Sequence, residues 1–137
     1  MRAFGALAVV VSWLAAPVAP APPDSSIAGV WRGTSVCVDR TLHPACVDET
    51  IVYEFRPLPD HDGGMRLEAK KMVSGRAETM YLLDFTYDRA RGAWVSEFHA
   101  PHAHGEWSYV VRGFTLAGRL VDLPSKALVR QVDARRE

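Results

Sequence analysis

Apolar and polar side chains alternate with a period of two through most of the chain after residue 28. In Glu49–Arg56, for example, Ile51, Tyr53 and Phe55 fall on one face. A period of two in β-branched and aromatic residues is typical of a strand that is buried on one side. The pattern recurs along the chain and predicts eight strands, at Gly29–Val38, Glu49–Arg56, Met65–Met72, Glu78–Tyr87, Trp94–His99, Trp107–Val111, Phe114–Leu120 and Leu128–Arg135.

The connections between these segments are short and contain turn-forming residues, such as Ser74-Gly75-Arg76 and Arg112-Gly113. Short connections between evenly spaced strands favour an antiparallel meander. We therefore predict an all-β fold, an eight-stranded antiparallel up-and-down barrel, because closure removes exposed sheet edges. A two-sheet β-sandwich has the same local pattern and is the alternative, but no connection is long enough to require a Greek-key crossover.

The first 21 residues differ in character from the rest of the chain. Arg2 is followed by an apolar stretch, Phe4–Ala16, and then by small residues and prolines. This order is typical of a secretory signal peptide, and the apolar stretch is short for a membrane span. We predict a signal peptide at 1–21, a short Pro/Ser leader at 22–27 and one domain at 28–136, in a secreted or periplasmic protein. An uncleaved N-terminal anchor is the alternative.

Charge is balanced, with 16 Lys and Arg residues against 16 Asp and Glu residues. A protein that binds nucleic acid or anionic membranes needs a basic face. We therefore expect no nucleic-acid partner. Because the apolar N-terminal stretch is read as a signal peptide, we also expect no membrane span in the mature protein. A protein partner is left unspecified.

The chain has two cysteines, Cys37 and Cys46. Two cysteines in an exported chain most simply form one disulfide, and their spacing is not that of a metal site. Closing this segment of ten residues contributes roughly 2.5–3 kcal/mol on the chain-entropy model.

The tripeptide Gly29-Val30-Trp31 opens the first predicted strand. It resembles the Gly-x-Trp motif that opens the first strand of lipocalins and of the wider calycin superfamily. The resemblance implies that Trp31 packs at the closed end of an eight-stranded barrel, with a basic residue of the last strand across its ring. Arg130 is in phase with Leu128 and Val132 on the apolar face, so we predict that Arg130 is this residue. The chain looks more like the compact lipocalin-like domains of small exported bacterial proteins than like a typical lipocalin.

The same resemblance implies that the loop after the first strand borders the mouth of the barrel. In this chain that loop is closed by Cys37 and Cys46. A disulfide there would stiffen a rim and reduce the ordering cost of binding. The alternative is a staple that only stabilises a small domain.

Large aromatic side chains are expected to point into the barrel. The fourth strand is expected to present Thr79, Tyr81, Leu83, Phe85 and Tyr87 on one side. Inward aromatic rings can line an apolar cavity that binds a small hydrophobic ligand, or they can fill the barrel completely. The candidate cavity residues are Tyr53, Tyr81, Phe85, Trp94, Phe98, Trp107 and Tyr109, with Phe114 as a further inward ring.

Three histidines lie close together in sequence, at His99, His102 and His104. Imidazoles at this spacing could bind zinc, copper or a haem iron. The nearest carboxylates are Glu97 and Glu106, and neither is placed as an obvious further ligand. A polar hairpin loop explains the cluster as well, so we predict no metal and no other cofactor.

The sequence contains no recognisable enzyme motif, such as Gly-x-Ser-x-Gly, a phosphate-binding glycine loop or His-Glu-x-x-His. We therefore predict a protein that is not an enzyme. The function we expect is the binding of a small apolar or amphipathic ligand inside the barrel. The alternative is a filled barrel that acts as a protein-interaction or structural module of the cell envelope.

Overall fold

The structure is a computed structural model, and it describes residues 15–16, 27–60 and 63–137. Most of the predicted signal peptide at 1–21 and of the leader at 22–27 therefore lies outside the described residues. Among the described residues, no helix combines the length and the apolar composition that crossing a bilayer requires.

Eight antiparallel strands close into a single barrel, in which each strand pairs with the next in sequence and the last pairs with the first. The strands are β1 (Gly29–Cys37), β2 (Glu49–Pro57), β3 (Met65–Val73), β4 (Arg76–Asp88), β5 (Ala93–Ala100), β6 (Ala103–Arg112), β7 (Thr115–Asp122) and β8 (Leu128–Arg136). The prediction of an eight-stranded up-and-down barrel is confirmed, and the sandwich alternative is wrong.

β6 begins four residues earlier than the aromatic pattern predicts, at Ala103. Its first residues continue the ladder with β5, where His104 pairs with His99 and Gly105 pairs with Phe98. The turn between β5 and β6 is therefore tight. His and Gly carry no strand signal of their own, so the pattern of apolar residues misses this part of the hairpin.

The core consists of the inward-facing residues of all eight strands. Its largest side chains are at most 1% exposed and include Trp31, Trp94, Tyr53, Tyr109, Phe55 and Phe85. The Tyr109 ring lies edge-on to Phe55 and Phe85, with ring centroids 5.5 and 5.4 Å apart. Phe114 is not part of this core, because it lies in the turn before β7 and is 76% exposed. Its prediction as an inward ring is wrong.

Trp31 closes one end of the barrel. Its indole Nε1 donates a 2.8 Å hydrogen bond to the Ile27 carbonyl, and the guanidinium of Arg136 lies 4.2 Å from the ring centroid. Arg136 Nη1 also donates to the Ala28 carbonyl at 2.6 Å. The backbone N–H of Glu137 donates to the Val30 carbonyl at 2.9 Å, so both ends of the barrel sequence meet here.

The prediction that Arg130 lies across Trp31 is wrong. Arg130 does face the interior, as its phase with Val132 predicts, but in the β1–β8 ladder it pairs with Cys37 while Arg136 pairs with Trp31. Six residues of strand separate the two arginines, a distance of roughly 20 Å at about 3.3 Å per residue. Alternation identifies the face of a strand, whereas the register comes from pairing with a distant strand.

Two glycines make room for the closed barrel. A Cβ at Gly33 would lie 1.9 Å from the Asp133 carbonyl oxygen of the neighbouring strand. A Cβ at Gly118 would lie 2.4 Å from the Tyr109 ring. Glycine therefore allows β1 and β8 to approach each other at Gly33, and it accommodates a large ring opposite Gly118.

A β-bulge interrupts the pairing of β3 with β4. Ala69 pairs with Tyr81 and Lys70 pairs with Thr79, which leaves Met80 as an extra residue. The bulge reverses the alternation of β4 before Tyr81, so Thr79 faces outward and donates to Glu68 at 2.7 Å. The prediction that Thr79 faces inward is therefore wrong.

Candidate functional site

The end of the barrel opposite Trp31 contains a cavity of about 420 Å³. It lies where β1 ends and β2 and β8 begin, beside the β1–β2, β3–β4, β5–β6 and β7–β8 connections. Its walls are mostly apolar, with a few polar groups, and are formed by Ser35, Glu49, Tyr53, Met80, Tyr81, Leu83, Phe98, Trp107, Leu120 and Arg130. A cavity of this volume and character is within the range of small-molecule sites.

Four of the seven aromatic residues predicted for the cavity line it, namely Tyr53, Tyr81, Phe98 and Trp107. The other three, Phe85, Trp94 and Tyr109, belong to the packed core instead, and their prediction as cavity residues is wrong. The strands that carry them run the full length of the barrel. Alternation shows that an aromatic ring points inward, but it does not show at which end of the barrel the ring lies. The interior therefore combines a filled half with a hollow half.

Among the described residues that form the cavity wall, Arg130 is the one cationic side chain. Its Nη1 donates to the Ser35 hydroxyl at 2.8 Å, and its Nη2 donates to the Val47 carbonyl at 2.6 Å. Glu49 lies 3.5 Å from Nη1, and both charged side chains are less than one-fifth exposed. This pairing offsets the cost of placing a guanidinium beside apolar walls. One end of the cavity is therefore polar, and there the positive charge of Arg130 is balanced by the negative charge of Glu49.

Two tyrosines of the cavity wall, Tyr53 and Tyr81, lie close to Tyr109 of the packed core. The Tyr53 and Tyr109 rings meet edge to face with centroids 6.1 Å apart, and Trp107 stacks on Tyr109 at 5.8 Å. Burial raises the pKa of Tyr53, and burial together with the neighbouring Tyr53 raises the pKa of Tyr81. Burial also raises the pKa of Tyr109 well above its ordinary value. Within the described residues, the Tyr109 hydroxyl has no hydrogen-bond partner.

The β1–β2 connection borders the cavity and is closed by the Cys37–Cys46 disulfide, which confirms the predicted pairing. Asp48 Oδ1 accepts a 2.8 Å hydrogen bond from the Cys37 amide, and Asp48 also pairs with Arg40 at 2.8 Å. These contacts, the amide first and then Arg40, lower the pKa of Asp48. Arg130 joins this loop to the cavity wall through the Val47 carbonyl.

Two of the three candidate histidines lie together on the outer wall of the barrel. His99 and His104 are cross-strand partners, and their rings stack with centroids 3.7 Å apart. His102 lies in the β5–β6 turn and does not join them. It lines a second, smaller cavity of about 150 Å³ together with His43, and His104 also forms part of that cavity's wall. The third member of the outer-wall group is Glu97.

Glu97 accepts a 2.5 Å hydrogen bond from His104 Nε2, and the same carboxylate oxygen lies 3.6 Å from His99 Nε2. The contact with His104 lowers the pKa of Glu97. Each of the three residues points away from the interior, so this group is separate from the cavity.

Several cavity residues were not proposed from the sequence. Ser35, Glu49, Leu83 and Leu120 are in phase with inward residues of their strands, so alternation could have identified them. Met80 could not be identified in this way, because it faces the cavity only through the bulge. No feature of the sequence separates the residues of the hollow half from those of the filled half.

No protein-family model and no curated protein matches the chain.

Proposed function

We propose that this chain is an exported β-barrel that binds a small apolar or amphipathic molecule in its interior. The observation that carries the proposal is the cavity of about 420 Å³ at one end of the barrel. The Cys37–Cys46 disulfide supports export, because such bonds persist in oxidising compartments. The apolar N-terminal stretch and the resemblance of Gly29-Val30-Trp31 to the lipocalin motif support the same reading.

Binding would be driven by removing apolar surface of the ligand from water. Tyr81, Phe98, Trp107, Leu83 and Leu120 offer apolar surface on several sides of the cavity, and each square ångström of apolar surface buried contributes about 25 cal/mol before the costs of association. No chemical step is part of the proposal.

Ser35, Glu49 and Arg130 would orient the ligand. Their donors and acceptors are clustered at one end of the apolar cavity. Because Arg130 already has a carboxylate neighbour, an anionic group on the ligand would have to share the guanidinium with Glu49, whereas a hydroxyl group would leave the ion pair intact. An amphipathic ligand with one hydroxyl group therefore fits this arrangement best, and a ligand with one carboxyl group is the alternative.

The proposal is tested by filling the cavity. Leu83 faces the cavity, whereas its neighbour Leu82 points outward and is 58% exposed. We expect Leu83→Trp to reduce binding of a fluorescent fatty-acid analogue by at least about tenfold, because the indole occupies the ligand volume, at a cost of about 1–3 kcal/mol in stability. Leu82→Trp is the matched control and should bind as the wild type does.

Native mass spectrometry of protein purified without denaturation provides an independent measurement. An adduct that is retained by wild type and by Leu82→Trp, and lost in Leu83→Trp, supports an interior site. Equal binding by both variants, or no binding by the wild type to any apolar compound tested, would contradict the proposal.

A second candidate function is a protein-interaction or structural module of the cell envelope. Three large apolar side chains of the β1–β2 connection favour it, since Val38, Leu42 and Val47 are all exposed. Exposed apolar residues that form one patch are a common feature of interaction surfaces. This function would depend on the 41–48 or the 57–64 loop, so changes in one of these loops should abolish binding of a protein partner. Leu83→Trp should leave that binding unchanged.

A further inference from the structure

The outer wall of the β5–β6 hairpin brings together two imidazoles and a carboxylate. Glu97 and His99 are two residues apart on β5 and therefore share its outer face. His104 lies directly across the ladder from His99 on β6. This placement depends on the tight turn between the strands, which makes the two histidines cross-strand neighbours.

The three potential donor atoms converge on a small volume. Glu97 Oε1 is 2.5 Å from His104 Nε2 and 3.6 Å from His99 Nε2. One donor atom from each side chain lies within 4.8 Å of the other two. Two donors on a tetrahedral ion with bonds of about 2.05 Å are roughly 3.3 Å apart. Small side-chain rotations would therefore bring all three donors to bonding distance of one ion.

We propose that Glu97, His99 and His104 bind a divalent transition-metal ion, with Zn²⁺ and Cu²⁺ as the ions that fit best. Two imidazole nitrogens with one carboxylate oxygen form a donor set that suits these ions and is poor for Ca²⁺ or Mg²⁺, which require oxygen ligands. The remaining coordination positions face solvent and would be taken by water.

The charges around the three residues fit a divalent ion. The donor set supplies one negative charge from Glu97, and the adjacent Glu106 on β6 is a cross-strand neighbour of Glu97. Arg91 forms an ion pair with Glu106 at 2.8 Å. The arginine therefore has its own partner, and the Glu97 carboxylate is shared only by the two imidazoles among the contacts described above.

The proposed site is independent of ligand binding in the interior. Glu97, His99 and His104 lie on the outer face of the barrel wall. Phe98, which stands between Glu97 and His99 on β5, points inward and lines the cavity. A bound ion would connect β5 to β6 near the rim of the barrel. Because the unfolded chain lacks this arrangement, the ion would raise the stability of the folded barrel by mass action.

The test uses protein without an affinity tag, stripped with a chelator and titrated with Zn²⁺ by isothermal titration calorimetry. We expect the wild type to bind one ion per chain. Glu97→Gln, His99→Ala and His104→Ala should each reduce the affinity by about tenfold or more, since each removes a direct ligand. His102→Ala and His43→Ala are the matched controls and should retain wild-type affinity.

A second measurement separates metal binding from damage to the fold. Thermal unfolding without metal should be similar for Glu97→Gln and His99→Ala, because both side chains are exposed, and His104→Ala should cost little more, since His104 is itself one-third exposed. Zn²⁺ should raise the melting temperature of the wild type and of His102→Ala, and it should raise that of His99→Ala by less. With Cu²⁺, electron paramagnetic resonance should show coupling to two nitrogen atoms in the wild type and to one in His104→Ala.

Three results would overturn the proposal. They are an absence of Zn²⁺ and Cu²⁺ binding by the wild type, retention of wild-type affinity in both His99→Ala and Glu97→Gln, and loss of binding in His102→Ala alone. The first two would leave the group as a surface ion pair, and the third would move the metal to the small cavity beside His102.

Discussion

Trp31 is fully buried, yet its polar atom has a partner. The indole N–H donates to the Ile27 carbonyl, and the ring face carries the guanidinium of Arg136. A guanidinium over an indole ring contributes about 0.5–2 kcal/mol, more when water is excluded. Arg136 also donates to the Ala28 carbonyl, so one arginine joins the ring and the backbone before β1.

This geometry predicts that Trp31 and Arg136 are energetically coupled. Trp31→Ala should destabilise the barrel by about 3–5 kcal/mol because it removes a core-packed indole. In a double-mutant cycle measured by urea denaturation, Trp31→Ala and Arg136→Ala should be non-additive by at least about 0.5 kcal/mol.

Arg130→Ala is the control for that cycle, since Arg130 contacts Ser35 and Val47 at the other end of the barrel. Its effect should add to that of Trp31→Ala within about 0.5 kcal/mol. Additivity for Arg136, or coupling for Arg130, would contradict the assignment of the closed end.

At the level of whole elements, the barrel depends on local departures from regular pairing. Gly33 lets β1 and β8 approach, and the bulge at Met80 turns two consecutive residues of β4 toward the cavity. Two hydrogen bonds hold the disulfide loop between β1 and β2 in place. Asp48 joins the two ends of the loop by accepting from the Cys37 amide, and the Val47 carbonyl joins the loop to Arg130 of β8.

The disulfide offers a test of what the loop contributes. Replacing both Cys37 and Cys46 by serine should lower the free energy of unfolding by roughly 2.5–3 kcal/mol, the loop-closure value for this span. Urea denaturation of the double variant against wild type measures this change.

Ligand affinity distinguishes the two roles of the disulfide. If it stiffens the rim of the binding site, affinity for the fatty-acid analogue falls in the folded double variant. If it is only a staple, affinity measured well below the unfolding transition is unchanged. A variant as stable as the wild type would contradict the staple role, and unchanged affinity in the folded variant would contradict the rim role.

The strands could be predicted from the sequence because alternation is a local property of the chain. Tyr53, Tyr81, Phe98 and Trp107 were correctly placed inside for this reason. Register and bulges depend on partners distant in sequence, so Arg136 was missed and Thr79 was placed on the wrong face. The sequence predicted only part of the outer-wall group. His99 and His104 were among the three candidate histidines, but the third, His102, lies elsewhere, and the carboxylate of Glu97 takes its place. Cross-strand pairing decides which residues meet, and it cannot be derived from spacing along the chain.

The molecule as a whole has two unlike ends. The end with Trp31 is filled by side chains, whereas the opposite end is hollow. Three tyrosines with raised pKa values lie where the two halves meet, Tyr53 and Tyr81 in the cavity wall and Tyr109 in the packed core. The folded barrel therefore keeps these phenols protonated to a higher pH than the unfolded chain does.

This difference predicts a loss of stability in alkali. In the unfolded chain, the phenols ionise near the ordinary value of about 10. Above that pH the unfolded state binds fewer protons than the folded state, so the free energy of unfolding falls as pH rises; below it, these groups leave stability unchanged. Urea denaturation at a series of pH values from 8 to 12 measures the slope.

The variant Tyr53→Phe removes one of the three groups and should make that slope shallower. Absorbance at 295 nm should show the buried phenols ionising together with the loss of near-ultraviolet circular dichroism. Their ionisation in a barrel that keeps its native dichroism would contradict the burial of these hydroxyls.

The meeting of the two chain ends beside Trp31 has a practical consequence. Ala28 and Val30 contact Arg136 and Glu137, so both ends of the barrel sequence leave from the face opposite the cavity. A surface support or a reporter domain attached at residue 137 would hold the molecule by its closed end. The hollow end would then point toward the solution, and immobilised protein could sample ligands without obstruction by its own attachment.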